Sequence, residues 1–142
     1  MDADTACLPH SQQQIAELEP LFQRQRAAYR ANPMPPASQR IQWLNALRAL
    51  LLSEQGALIQ AISQDFSNRA AEETLLAELM PSVQGIHYAT QRIKKWMKPS
   101  RRAVGLAFQP ASAQVVYQPL GVVGVIVPWN YPLFLAVGPL VG

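Results

Sequence analysis

Apolar positions in the first hundred residues recur at intervals of three and four, and beyond Pro110 they run continuously. Ile15, Leu18, Leu21 and Phe22 fall on one helical face. Pro20 interrupts that pattern. It removes a backbone donor in a helix interior but is tolerated in a first turn, so the main helix is predicted from about Pro20 to Ala31, with the part before it separate or kinked. Asn32-Pro33-Met34-Pro35-Pro36 stops it. Ser38 is a suitable N-cap for a second helix, striped by Ile41, Leu44, Leu47, Leu51 and Leu52 with Trp43 on a flank. Ser53-Glu54-Gln55-Gly56 can restart the chain into a helix carrying Leu58, Ile59 and Ile62 to about Phe66. Ser67 or Asn68 can cap a long helix from about Ala70 to Met97, with Leu75, Leu76, Leu79, Met80, Val83, Ile86, Ile93 and Trp96 as its stripe. Pro81 and Gly85 are expected to bend it, and Pro99 to end it.

The period then changes. Gln114 to Tyr117 form a short strand candidate between Pro110 and Pro119. Val122-Val123-Gly124-Val125-Ile126-Val127 places five β-branched residues in six, as in a parallel strand buried on both faces. After Pro132 the chain reads as helix again, through Leu133, Leu135, Ala136, Leu140 and Val141. The predicted class is therefore α/β: helices, a short strand, a buried strand and a helix.

Charge sharpens this division. All acidic and basic residues lie between Asp2 and Arg102, and residues 103–142 carry none. Six bases (Arg92, Lys94, Lys95, Lys98, Arg101, Arg102) cluster without an acid, so the net charge of +3 is local. A basic cluster can serve nucleic acid or anionic lipid, but its place here is that of a solvated helix end, where cations suit the dipole. The uncharged stretch is broken by Pro110, Pro119, Pro128, Pro132 and Pro139, so no apolar run of about 20 residues spans a bilayer. Neither a nucleic acid nor a membrane partner is expected. One cysteine, Cys7, allows no internal disulfide and fits a reducing compartment. The first ten residues have two acids and no apolar core, unlike a secretory signal, and read as a flexible tail. The apolar ending L-F-L-A-V-G-P-L-V-G suggests the amino-terminal piece of a longer protein.

Few side chains promise chemistry. Gly121 and Gly124 lie at the start of a strand and within it, not after one, so they form no dinucleotide loop and signal close backbone packing. Cys7, His10 and His87 have no partners in their patterns, and no metal-ligand set is present. Glu72, Glu73 and Glu78 read as solvated acids in the first turns of a long helix. Asn130 differs. It follows the apolar run between Trp129 and Tyr131, bounded by Pro128 and Pro132. Ligands of open α/β sheets bind beyond the carboxyl ends of strands. An amide there either donates hydrogen bonds to a developing oxyanion or caps the following helix, and the residues alone leave both open.

The stretch P-L-G-V-V-G-V-I-V-P-W-N-Y-P at 119–132 resembles the strand-and-turn signature of the aldehyde dehydrogenase superfamily, in the form of its class 3 branch. R-Q-R-A-A-Y at 24–29, R-I-Q-W-L-N-A-L at 40–47 and A-I-S-Q-D-F at 61–66 are similar to the family's amino-terminal helices. Segments 73–81, 92–99 and 104–111 resemble the bacterial coniferyl aldehyde dehydrogenases.

The resemblance implies an aldehyde dehydrogenase-like α/β fold. The chain would hold only its amino-terminal helices (11–112), a strand of the bridging arm used in oligomerisation (113–118), and the first strand, turn and helix of a Rossmann-like cofactor domain (119–142). It further implies NAD or NADP as cofactor, with Val127, Pro128 and Trp129 in the cofactor cleft and Asn130 as the oxyanion donor. The implied reaction oxidises a small-molecule aldehyde, aromatic such as coniferyl aldehyde or otherwise hydrophobic, to the acid through a cysteine thiohemiacetal and thioester. A cytoplasmic homodimer or larger homo-oligomer is expected. The nucleophilic cysteine, the general-base glutamate and the groups that hold the adenosine ribose have no match in residues 1–142, so this piece alone is expected to be inactive. The residues by themselves also allow a non-enzymatic helical interaction module, in which the basic cluster and the apolar end bind a partner.

Overall fold

A computed structural model describes residues 9–142, with side chains from Ile15 onward. Cys7 and most of the expected 1–10 tail lie outside the described residues. The chain divides into two compact units. One comprises the described residues up to 34 together with 119–124, the other residues 35–118 and 125–142.

In the first unit, α1 runs from Pro9 to Ala31 with Pro20 inside it. The helix is continuous through Pro20, so the part before it is not separate. Ile15, Leu18, Leu21 and Phe22 are exposed, so water can reach the carbonyl that Pro20 leaves without a partner, which lowers the penalty for an internal proline. Near the end of α1, the Tyr29 hydroxyl donates to the Pro119 carbonyl at 3.1 Å. Gly121 sits at φ +101°, and a Cβ there would stand 3.5 Å from the Tyr29 ring. Gly124 has no such neighbour, so of the two glycines only Gly121 meets a close approach.

The second unit is built on helices. α2 spans Ala37–Ser53 and α3 spans Gln55–Asp65. Ser38 does not cap α2. Pro36 occupies the N-cap position in an extended conformation, and the Arg40 guanidinium donates to the Pro35 carbonyl at 3.0 Å. The expected long helix is present but not uniform: α4 (Ala71–Thr74) passes into a π-helical segment, Leu75–Leu79, and then into α5 (Met80–Trp96). Pro81 lies two residues beyond the end of the wide segment, after Met80. A proline ring clashes with the carbonyl four residues back, and a widened ladder relieves that conflict. α6 spans Pro132–Val141.

The core of this unit joins α2, α5 and α6. Leu44, Leu51, Leu79, Ile86, Ala89 and Val137 are buried together, with Leu47, Val83, Ile93, Leu133 and Val141 packed against them. The buried face of the long helix runs Thr74, Glu78, Ser82, Ile86 at steps of four. Leu75, Leu76, Met80 and Trp96, expected on that face, are exposed.

Two short strands complete the unit. β1 (Ser100–Arg102) pairs antiparallel with β2 (Ala113–Val115), Ser100 opposite Val115 and Arg102 opposite Ala113. β2 matches the start of the strand expected over 113–118. β1 was not expected. Its Arg101 and Arg102, assigned to a solvated helix end, belong instead to this ribbon, while Lys94 and Lys95 do occupy the last turn of α5. Val122–Val127 is not paired among the described residues, and Val123, Val125 and Ile126 are exposed. A parallel strand needs a partner delivered by a crossover, and no second run of this kind exists in residues 1–142. The observed architecture is thus mostly helical with a two-stranded sheet.

Candidate functional site

The turn expected to carry the chemistry lies between the apolar run and α6. Trp129 is 87% exposed, Asn130 and Pro128 are exposed, and Val127 is half-buried. None of these four consecutive residues carries a charge. Asn130 does not act as the helix cap that its position allowed. Tyr131 is the N-cap residue of α6, and it makes no side-chain capping bond.

The first-turn amides of α6 find their acceptor elsewhere. The N–H groups of Leu133 and Phe134 donate to Oε2 of Glu78, at 2.7 and 3.2 Å. A carboxylate at this position satisfies two otherwise orphaned donors and complements the positive end of the helix. The other oxygen of Glu78 receives Nη1 of Arg69 at 2.8 Å. Glu78 is fully buried. This corrects the reading of Glu78 as a solvated first-turn acid. The reading suits Glu73, whose side chain is 49% exposed.

Arg69 is the hub of this cluster. Its Nε lies 3.3 Å from Oε1 of Glu73, and its Nη2 donates to the backbone carbonyl of Asn130 at 2.7 Å. The guanidinium also lies over the rings of Phe66 and Tyr131, 4.8 and 5.0 Å from their centroids. The planar five-donor fork of arginine suits it to serve several acceptors at once, and its delocalised cation is attracted to aromatic rings. The chain delivers Arg69 through a tight reversal after α3. Ser67 and Asn68 have φ of 56° and 68°, and the Asn68 N–H donates to the Ser63 carbonyl at 2.7 Å. This left-handed ending terminates α3. Ser67 and Asn68 therefore close the preceding helix and do not cap the next one, whose N-cap residue is Ala70.

The buried polar stripe continues on either side of Glu78. The Ser82 hydroxyl donates to the Glu78 backbone carbonyl at 2.6 Å, and Thr74 Oγ1 is buried without a partner. The described residues contain no group of three metal-ligating side chains and no helix long and apolar enough to cross a membrane. His87 is exposed and faces Gln91 at 2.9 Å on its own helix.

For a dinucleotide, Val127, Pro128 and Trp129 fit one part of the ligand only. Exposed apolar side chains suit the flat faces of its rings, while residues 103–142 carry no cation for its phosphates.

Comparison with known proteins adds to this geometry. Residues 5–142 match the model of the family described as "Aldehyde dehydrogenase family". The chain is 74% identical over its whole length to a probable coniferyl aldehyde dehydrogenase of Pseudomonas aeruginosa, of which it spans 30%. It is 44% identical over 103 residues, 72% of the chain, to a coniferyl aldehyde dehydrogenase of a Pseudomonas species, of which it covers 21%. It is 36% identical over 121 residues, 85% of the chain, to human aldehyde dehydrogenase family 3 member B1, of which it covers 26%.

Proposed function

This chain belongs to the aldehyde dehydrogenase family, and from that premise we propose that it forms the amino-terminal part of an NAD(P)-dependent enzyme oxidising an aromatic aldehyde such as coniferyl aldehyde to its carboxylic acid. The substrate reading rests on the printed names of the two Pseudomonas relatives, with 74% and 44% identity. The site reading rests on one observation: Asn130 stands exposed at the end of the apolar run, while the helix behind it is capped by Glu78.

Asn130 is the oxyanion donor in this proposal. A thiolate supplied from outside residues 1–142 attacks the aldehyde carbon, and the carbonyl oxygen takes up negative charge. The amide N–H of Asn130 donates to that oxygen and keeps its own charge unchanged. A preorganised donor of this kind costs no rearrangement when the charge develops, which is why it favours the transition state over the ground state. NAD(P), when bound, would supply the hydride acceptor, with Val127, Pro128 and Trp129 as the residues beside its rings. Val127, Pro128 and Trp129 offer an apolar wall beside the amide, excluding water from the side on which the rings of cofactor or substrate would lie. A homo-oligomer, with β2 in an intersubunit arm, belongs to the same proposal.

The test is Asn130→Ala in the full-length enzyme. Turnover with coniferyl aldehyde is expected to fall about 100- to 1000-fold, the usual cost of one oxyanion donor, with cofactor affinity unchanged. Turnover at the parental rate would remove Asn130 from the chemistry.

A further inference from the structure

We infer that Arg69 is a positioning residue for the Asn130 amide, held in place by Glu78 and Glu73, an inference that rests on the oxyanion role proposed above. Arg69 lies 61 residues before Asn130 in the chain, yet its Nη2 reaches the Asn130 carbonyl at 2.7 Å. Only 10% of its side chain is exposed, so the guanidinium is held inside the cluster while it reaches a carbonyl at the surface.

One ion pair fixes the turn at both ends. Arg69 holds the carbonyl of Asn130, and Glu78 holds the amides of Leu133 and Phe134. The Arg69–Glu78 contact of 2.8 Å joins the two anchors. Between them stand only Tyr131, whose ring lies against the guanidinium, and Pro132, the first residue of α6. The backbone that carries the Asn130 side chain therefore has little freedom, although the side chain itself is exposed. An oxyanion donor needs this arrangement: an accessible amide on a backbone that does not move.

Lysine at position 69 keeps the charge but not the fork. It cannot meet the Glu73 carboxylate, the Glu78 carboxylate and the Asn130 carbonyl with three separate nitrogens. Displacing a reacting group by about 1 Å costs up to about 100-fold in rate.

The experiment is a double-mutant cycle in the full-length enzyme, with Arg69→Lys, Asn130→Ala and the double variant. Arg69→Lys is expected to lower kcat about 10- to 100-fold, with KM for the cofactor unchanged. In the Asn130→Ala background the same substitution should change kcat by less than about twofold, because the amide it positions is gone. A merely structural residue would lower both backgrounds equally, and that additive result overturns the inference. So does an Arg69→Lys enzyme with parental kcat while Asn130→Ala is impaired. Parental kcat in Asn130→Ala itself overturns the oxyanion role and this inference with it. If Arg69→Lys does not accumulate as folded protein, Glu73→Gln enters the same cycle from the half-exposed end of the cluster. A smaller fall in kcat that vanishes without the Asn130 amide supports the inference, and an additive or absent fall overturns it.

Discussion

Glu73 and Glu78 lie five residues apart and both meet the Arg69 guanidinium, yet they differ in what they contribute. Glu78 is wholly buried and serves three donors: Arg69, Leu133 and Phe134. Its removal strands a buried cation and two helix-end amides, so Glu78→Ala is expected to cost about 3–5 kcal/mol of stability. Glu73 is half-exposed, and solvent screens its pair, so Glu73→Gln should cost no more than about 1 kcal/mol. Urea unfolding of the two full-length variants measures the difference, and equal losses would contradict this division of roles. In the sequence the three glutamates look alike, because all follow the start of one long helix. The signal that separates Glu78 is its register: Thr74, Glu78, Ser82 and Ile86 share one face at steps of four. Its partner Arg69, nine residues earlier across the start of that helix, was beyond the reach of any periodicity.

At the scale of elements, the helices of the second unit were legible and their phase was not. Leu44, Leu51, Leu79 and Ile86 were expected on buried faces and are buried. Leu75 and Leu76, at the start of the π-helical turn Leu75–Leu79, are exposed, whereas Glu78 and Leu79 at its end are buried. Apolar character alone does not show this, because the buried face at steps of four carries Thr74, Glu78 and Ser82. The glycines give a sharper contrast. Gly85 lies exposed within α5 with nothing near its missing Cβ, so Gly85→Ala is expected to stabilise the protein by about 0.4–1 kcal/mol. Gly121 holds a positive φ beside Tyr29, where alanine is strained, so Gly121→Ala should destabilise by about 1–3 kcal/mol. Thermal unfolding of the two full-length variants should show midpoints moving in opposite directions. The close packing expected at both glycines is therefore met at Gly121, whereas Gly124 inside the apolar run has no neighbour within 4 Å.

At the scale of the whole molecule, the segment that most suggested an α/β fold is the one that forms no strand in residues 9–142. Val122–Val127 has the composition of a strand buried on both sides, yet Ile126 is fully exposed and Val125 is 40% exposed. The composition and the exposure are reconciled if partner strands lie in the part of the relatives that this chain does not span; it spans 30% of its Pseudomonas aeruginosa relative. Pairing on both edges and packing on both faces would turn an open run into the floor beneath Asn130. That reading separates cleanly from a solvent-facing segment by magnitude. If the run is covered in the full-length enzyme, Ile126→Ala removes buried methyl groups and should cost about 2–5 kcal/mol. If it faces water, the same change should fall within about 0.5 kcal/mol of zero. Urea unfolding of full-length Ile126→Ala distinguishes the two, and a loss of the larger size is expected. Turnover adds a second readout, since a floor disturbed four residues before Asn130 should lower kcat with aldehyde while leaving the Arg69–Glu78 anchor behind the turn intact.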